Sequence, residues 1–240
     1  LADVIFGPYF TKNINYHQHD SSHKGRGGSK PNDYKQMQNW YESIQKFDLN
    51  AVIFHNEHSK RFIEKYSTDK ISFQSWHKKH RPSYNDERIW TYREYLTTHP
   101  EIERVFMTDL YDVQFFGNPF ELFENHSARI FAGEELLSKY SSRWMVRKCR
   151  EMKTPLIQNK YAPGCKIYNA GIIGGYREDV LELLERMVKR FLKIPKKFNA
   201  NMPVFNLCLQ EMNTKIFSGY PLHNKFRSQK YEDGIYIKHK

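Results

Sequence analysis

Apolar residues along this chain switch between short unbroken runs and three-to-four spacing, and the switching predicts strands interleaved with helices. The run Val4-Ile5-Phe6, closed by Gly7-Pro8, predicts a first strand over 2–11. Tyr34, Met37, Trp40, Tyr41, Ile44 and Phe47 recur at helical spacing and predict an amphipathic helix over 34–47. A second strand follows at 49–55, with Asn56 and Glu57 at its outgoing end, then a helix near 58–66 and a short strand at 71–73. Ile89, Trp90, Tyr92, Tyr95 and Leu96 mark the next helix; Ser83 stands where its cap belongs, three residues ahead of Asp86. Val105-Phe106-Met107 then predicts a buried parallel strand. The second half gives a helical turn at 121–123, a strand at 128–132 and a mixed helical stretch at 136–152. A glycine-broken strand at 167–175 and a clear amphipathic helix over 177–192 follow. A last helix starts near Asn201, and strand-like segments lie at 215–217 and 235–237. The expectation is an α/β fold: one domain over 1–240 with a mostly parallel mixed sheet flanked by helices.

Residues 12–33 carry no packing period and read as a long flexible loop serving an active site. Within it, Lys24 and Arg26 are placed to close over a phosphate, and His17, His19 and His23 offer a zinc alternative to a plain polar loop. The basic aromatic segment Trp76-His77-Lys78-Lys79-His80-Arg81 reads as a solvated loop or a nucleic-acid contact.

Composition narrows this only partly. The 240 residues suffice for one domain with a real core, and 39% hydrophobic with 15% aromatic content is not a disordered composition. A net charge of +11 favours anionic partners without choosing among nucleotides, acidic glycans, nucleic acid and membrane surfaces. Three cysteines, Cys149, Cys165 and Cys208, form neither a disulfide framework nor a metal spacing, so reduced thiols are expected. No run of 18 apolar residues occurs, so no spanning helix is expected. The chain opens on Leu1, which leaves room for an upstream segment. A soluble cytoplasmic domain is expected, or one in a secretory lumen such as the Golgi if an N-terminal anchor was removed, with peripheral membrane association as a further option.

Two stretches carry candidate chemistry. Thr108-Asp109-Leu110-Tyr111-Asp112-Val113 places two carboxylates just beyond a parallel strand, where α/β proteins collect ligands. Hard oxygen donors there suit Mg²⁺ or Mn²⁺ bridging a diphosphate, although Asp is also common at turns and caps. In Asn169-Ala170-Gly171-Ile172-Ile173-Gly174-Gly175 the glycines allow close approach of a ligand or mark a bulge, and Asn169 offers a donor and an acceptor.

Taken in order, these pieces resemble the GT-A fold glycosyltransferases, the nucleotide-diphosphosugar transferase superfamily, in particular small bacterial and viral members with Asp-x-x-Asp-Val in place of Asp-x-Asp. The resemblance rests on 7–11, Asn85-Asp86-Glu87-Arg88, the Asp109/Asp112 segment, Asn118-Pro119-Phe120, 169–175, Asn201-Met202-Pro203 and Ile237-Lys238-His239-Lys240. It implies a Rossmann-like GT-A domain that moves a sugar from a nucleotide-diphosphate sugar to a glycan hydroxyl. Gly7, Tyr9 and Thr11 would flank the base, Arg26, Asp86 and Arg88 the base and diphosphate. Asp109 would face ribose and metal, and Asp112 would take the metal directly. His239 would complete the metal set, with His223 as second choice. Asn169 and Gly171 resemble residues beside sugar and acceptor. The spacing of the two carboxylates departs from the family pattern, and so does Asn201, kept in the catalytic set where relatives carry Asp; an amide cannot act as a general base.

Chemistry adds one expectation of its own. An inverting transfer needs a carboxylate or histidine near the acceptor hydroxyl, and Glu134, after Gly133 at a strand end, is the choice made here. A sugar-phosphate nucleotidyltransferase is the main alternative, followed by a basic nucleic-acid-binding protein; no nucleic acid is expected as partner.

Overall fold

The computed structural model describes residues 2–11, 30–77, 80–81, 83–136, 142–152, 166–195, 199–212, 214–224 and 233–239. Lys24, Arg26, the three loop histidines, Cys165 and most of the 12–33 loop therefore lie outside the described residues.

Strand β1 (Ala2–Tyr9) is buried from Val4 onward. Val4 and Phe6 pack on one side of the sheet, Ile5 and Tyr9 on the other, as the two-residue repeat of a strand requires. β1 pairs in parallel with β2 (Ala51–His55) and with β4 (Ile102–Thr108), and β2 pairs in parallel with β3 (Ile71–Ser75). Beyond β4 come β7 (Tyr168–Tyr176), β6 (Ile130–Glu134) and β8 (Ile216–Ser218), giving a seven-stranded order β3-β2-β1-β4-β7-β6-β8. β7 is antiparallel to both neighbours, and β8 is parallel to β6. Among the described strands of this sheet, β7 alone runs against the rest. The fold is α/β with a mostly parallel mixed sheet, compatible with one Rossmann-like domain.

Helices cover both faces. On one face lie α3 (Tyr84–Thr98), α6 (Arg177–Phe191) and α7 (Asn201–Glu211), whose Ile89, Leu183, Met187 and Val204 pack with Phe6 and Met107. On the other lie α1 (Gln38–Lys46), α2 (Lys60–Tyr66) and α4 (Leu122–Asn125), with Trp40, Ile44, Phe62 and Phe123 against Ile5, Phe106 and Ile172. Each such fully buried side chain contributes about 1.5–3 kcal/mol. α2 begins where Ser59 Oγ accepts from the Phe62 N–H at 3.2 Å. α6 carries Glu178 and Asp179 in its first turn and Lys189 and Arg190 in its last, which suits its dipole. Of the helical stretch expected at 136–152, α5 (Arg143–Glu151) is found, while 137–141 lie outside the described residues.

The start of α3 departs from expectation. Ser83 is at the cap position but makes no side-chain capping bond. Glu87 ties down the segment ahead of the helix instead: its buried carboxylate accepts from the N–H groups of His80 at 2.8 Å and Arg81 at 2.7 Å and from Trp76 Nε1 at 3.0 Å. Asp86 points inward and accepts from the Ala200 N–H at 3.1 Å. A tertiary partner has displaced the local cap.

A second, two-stranded sheet was not legible as such. β5 (Val113–Phe115) pairs antiparallel with β9 (Ile237–His239), in the register Val113↔His239. Backbone bonds from Tyr236 N to Pro221 O and from Ile237 N to Leu222 O, both 2.9 Å, hold the other edge of this terminal segment. Val113, Phe115 and Ile237 are buried in the α1 side of the core.

Candidate metal and nucleotide site

The chain passes from β1 to β2 and β3 on one side, then crosses to β4 on the other. That reversal makes the carboxyl ends of β1 and β4 a topological switch point, where the connecting segments part and leave a crevice. Asp109 is the first residue after β4, and its N–H donates to Gly171 O at 2.9 Å. Leu110 is buried and anchors the turn toward Asp112. Asp112 directly precedes β5, so the β5–β9 register delivers His239 to the two carboxylates. His239 Nε2 lies 3.4 Å from Asp109 Oδ2 and 3.6 Å from Asp112 Oδ1. One ligand-capable atom from each residue falls within 4.8 Å of the others.

The surroundings fit a cation. A Cβ on Gly171 would stand 2.6 Å from Asp109 Oδ2 and 2.9 Å from His239 Nε2, so glycine leaves the cluster its room. Two carboxylates with one imidazole match Mn²⁺, and Mg²⁺ through the oxygens. Arg88, buried on α3, forms an ion pair with Asp109 Oδ1 and donates from Nη2 to Ala170 O at 2.9 Å. Burial works against the Asp109 carboxylate, but Arg88 and His239 outweigh it and hold the group well below the usual carboxylate range. Burial also disfavours the His239 cation, yet Asp109 and Asp112 overcome it and raise the imidazole to about 9. Without an ion the two carboxylates thus face two cations, Arg88 and the protonated His239, and a metal held by His239 would take the place of its Nε2 proton.

The other expected residues fall into two groups. Thr11 is at the crevice rim beyond β1: its N–H donates to Asn56 Oδ1 at 2.9 Å and its hydroxyl to Glu57 Oε2 at 2.6 Å. Asn169 is buried near the triad, with Oδ1 accepting from the Gly171 N–H at 2.7 Å and Nδ2 donating to Glu135 Oε1 at 2.5 Å. The rest are engaged within the fold. Gly7 makes room for the Trp40 ring, whose Nε1 donates to Thr108 Oγ1 at 2.8 Å. Tyr9 is fully buried and its hydroxyl donates to Asp33 O at 2.7 Å. Asp86 is enclosed with Arg81 and the Ala200 N–H; burial lifts its pKa to about 6 although both partners pull the other way. Asn201 Nδ2 donates to Asn85 O at 2.8 Å. Glu134 is buried in an ion pair with Lys166 and accepts from Ser218 Oγ at 2.5 Å. His223, the second choice for the metal, accepts at Nε2 from the Gly219 N–H at 3.2 Å and meets Asn224 O at 2.5 Å through Nδ1.

Two residues near the site were passed over in the sequence. Glu135 has its carboxylate fixed by Asn169, which itself adjoins Gly171. The register of β6 on β7 shifts between Ala132 and Gly133, so sequence alternation alone did not tell Glu134 from Glu135. Tyr111, between the two aspartates, is 41% exposed; its hydroxyl donates to Phe10 O at 3.2 Å and its ring meets Tyr9 edge-on. The sequence signal that could have found it is its place between the two aspartates of one turn.

Compared with protein-family models and with curated proteins, the chain matches none. Among the described residues, no helix is long and apolar enough to cross a membrane.

Proposed function

We propose that this protein is a glycosyltransferase of GT-A type, moving a sugar from a nucleotide-diphosphate sugar to an acceptor hydroxyl on a glycan, with Asp109, Asp112 and His239 holding Mn²⁺ or Mg²⁺. The convergence of these three residues at the β1/β4 switch point carries the reading. The bound ion would offset the charge that develops on the departing diphosphate. Arg88 keeps Asp109 ionised and oriented. Thr11 and Tyr111 form the nucleoside side of the crevice, and an aromatic face as exposed as Tyr111 suits stacking on a base. Glu135, steadied by Asn169, is the carboxylate for the acceptor side; it replaces Glu134, which is buried and whose Oε1 is held by both Lys166 and Ser218. The work is placed in the cytoplasm or, behind an upstream anchor, in a secretory lumen, with peripheral membrane association as an option.

The test is Mn²⁺ titration by calorimetry, alongside nucleoside diphosphate release from a panel of donor sugars with glycan acceptors. Asp112→Asn preserves size but removes a charged ligand. It should weaken Mn²⁺ binding roughly 100-fold or more, beyond the range typical of groups that merely orient a ligand, with circular dichroism unchanged. Wild-type turnover that survives EDTA and is matched by D112N would sink the metal reading. Pyrophosphate release from a nucleoside triphosphate and a sugar phosphate would point to a nucleotidyltransferase instead.

A further inference from the structure

We infer that the outward face of α5 is a docking strip for a polyanionic glycan, one bearing carboxylate or sulfate groups, which serves as acceptor in the transfer proposed above; the acceptor role rests on that reading. α5 follows β6, whose outgoing end lies at the same sheet edge as the Asp109–His239 cluster. Its inward face is fixed: Met145 and Cys149 are buried against Ile167 and Leu207. Ile167 O in turn accepts from the Glu135 N–H at 2.9 Å. The footing of the helix is therefore bonded directly to the residue whose carboxylate Asn169 holds.

The outward face is a stripe of arginines. Arg143, Arg147 and Arg150 are exposed and stand at i, i+4 and i+7, one line about 10 Å long at 1.5 Å per residue. Arg147 has Glu151 at 3.7 Å, and Lys148 on the flank has the same carboxylate at 3.3 Å. Among the described residues, no acidic oxygen lies within 4.0 Å of Arg143 or Arg150. Each guanidinium is a planar fork matched to a carboxylate or sulfate in two-pronged fashion, and a helix pinned by its apolar face presents the forks in fixed order. Regularly spaced anions on an extended chain fit that order. Trp144, half-buried beside Arg143, adds an aromatic surface of the kind sugar rings pack on. A bilayer is the poorer match: α5 presents no exposed large apolar side chain to enter one.

The experiment measures binding of a chondroitin sulfate hexasaccharide to the full chain at several salt concentrations, with maltohexaose and phosphatidylserine vesicles as comparison probes. Two triple variants with equal charge loss are compared, R143S/R147S/R150S on α5 and K60S/R61S/K65S on the distant α2. Expected is binding of the sulfated probe but not the neutral one. The α5 variant should lose about tenfold or more in affinity, with a shallower salt dependence, while the α2 variant stays within about twofold. Melting temperatures check that both variants fold. Equal weakening by both variants, wild-type affinity in the α5 variant, or binding of vesicles in preference to the hexasaccharide would overturn the inference. Mn²⁺ and nucleoside diphosphate binding are measured in parallel and should be unchanged in the α5 variant. If wild type binds no nucleoside diphosphate, the transferase reading fails and the acceptor role with it, whereas the polyanion strip is still judged by its own comparison.

Discussion

Gly171 shows what a single missing side chain does for the site. It stands opposite Asp109 and His239 where a methyl group would collide with both. Gly171→Ala needs no unusual backbone angle in strand β7, so its cost falls on the ligands that must move. Mn²⁺ affinity should drop about 10–100-fold, the range seen when ligand orientation is disturbed. Stability should fall by about 1–3 kcal/mol, as in other overpacked interiors. Calorimetric titration with a urea melt separates the two, and unaltered Mn²⁺ affinity in G171A would mean that the cluster has slack the distances do not suggest. At this scale the sequence was readable wherever chemistry followed from position in a strand. Asp109, Asp112 and His239 were named as one set, and they meet. Asp86, named through the resemblance, and Glu134, named for its place at a strand end, are enclosed, because their facing depends on a tertiary partner in one case and a register shift in the other.

Among the elements, the outgoing end of β2 holds a charge-sensitive joint. His55 and His58 stack at 5.0 Å and are buried. His55 Nδ1 accepts from the His58 N–H at 3.2 Å, and His58 Nδ1 accepts from the Asn32 N–H at 3.3 Å. Burial lowers both imidazoles to about 4 from an ordinary 6.5, and each imidazole works against the charge of a neighbouring one. The folded state therefore resists protonation that the unfolded chain accepts. The stability they contribute is present above about pH 6.5 and is lost as pH falls toward 4, by up to about 3 kcal/mol per histidine, less for the coupled pair. Asp86 runs the other way: with its folded pKa raised to about 6, it favours the fold more at low pH and offsets part of the loss. Urea melts from pH 7.5 to 4.5 should show the decline, and H55N/H58N should flatten it while keeping acceptors for the two N–H groups. An unchanged slope in the double variant would place the acid sensitivity elsewhere. Most elements here were legible from periodicity, because long amphipathic helices and apolar strands state their own burial. β5 was not, since three residues carry too little pattern, and its strand character comes from pairing with β9.

For the whole molecule, the metal cluster joins two sheets. Asp109 belongs to the end of the large one, while Asp112 and His239 flank and close the small one. An ion held by all three should tie the terminal strand to the body of the protein. Mn²⁺ at about 100 times its dissociation constant should add about 2.7 kcal/mol to unfolding stability. Ile237→Ala, which empties a buried site in β9, should cost about 2–5 kcal/mol and weaken Mn²⁺ binding as well. Differential scanning calorimetry with and without Mn²⁺ measures both effects, and a destabilised I237A with wild-type Mn²⁺ affinity would uncouple strand from site. The α/β class and the parallel core were visible in the order of patterns along the chain, but the joining of its early and late segments was not, since pairing across such distance leaves no local trace. That joining also sets a schedule for the growing chain. Asp109 and Asp112 leave the ribosome long before His239, by roughly 6–25 s at about 5–20 residues per second. Through that interval the strands up to β4 are free to pair while the third ligand is still unmade. A nascent chain, or one broken off before residue 239, would carry the carboxylates without the imidazole, so the three-residue cluster exists only once His239 has been made and has paired through β9.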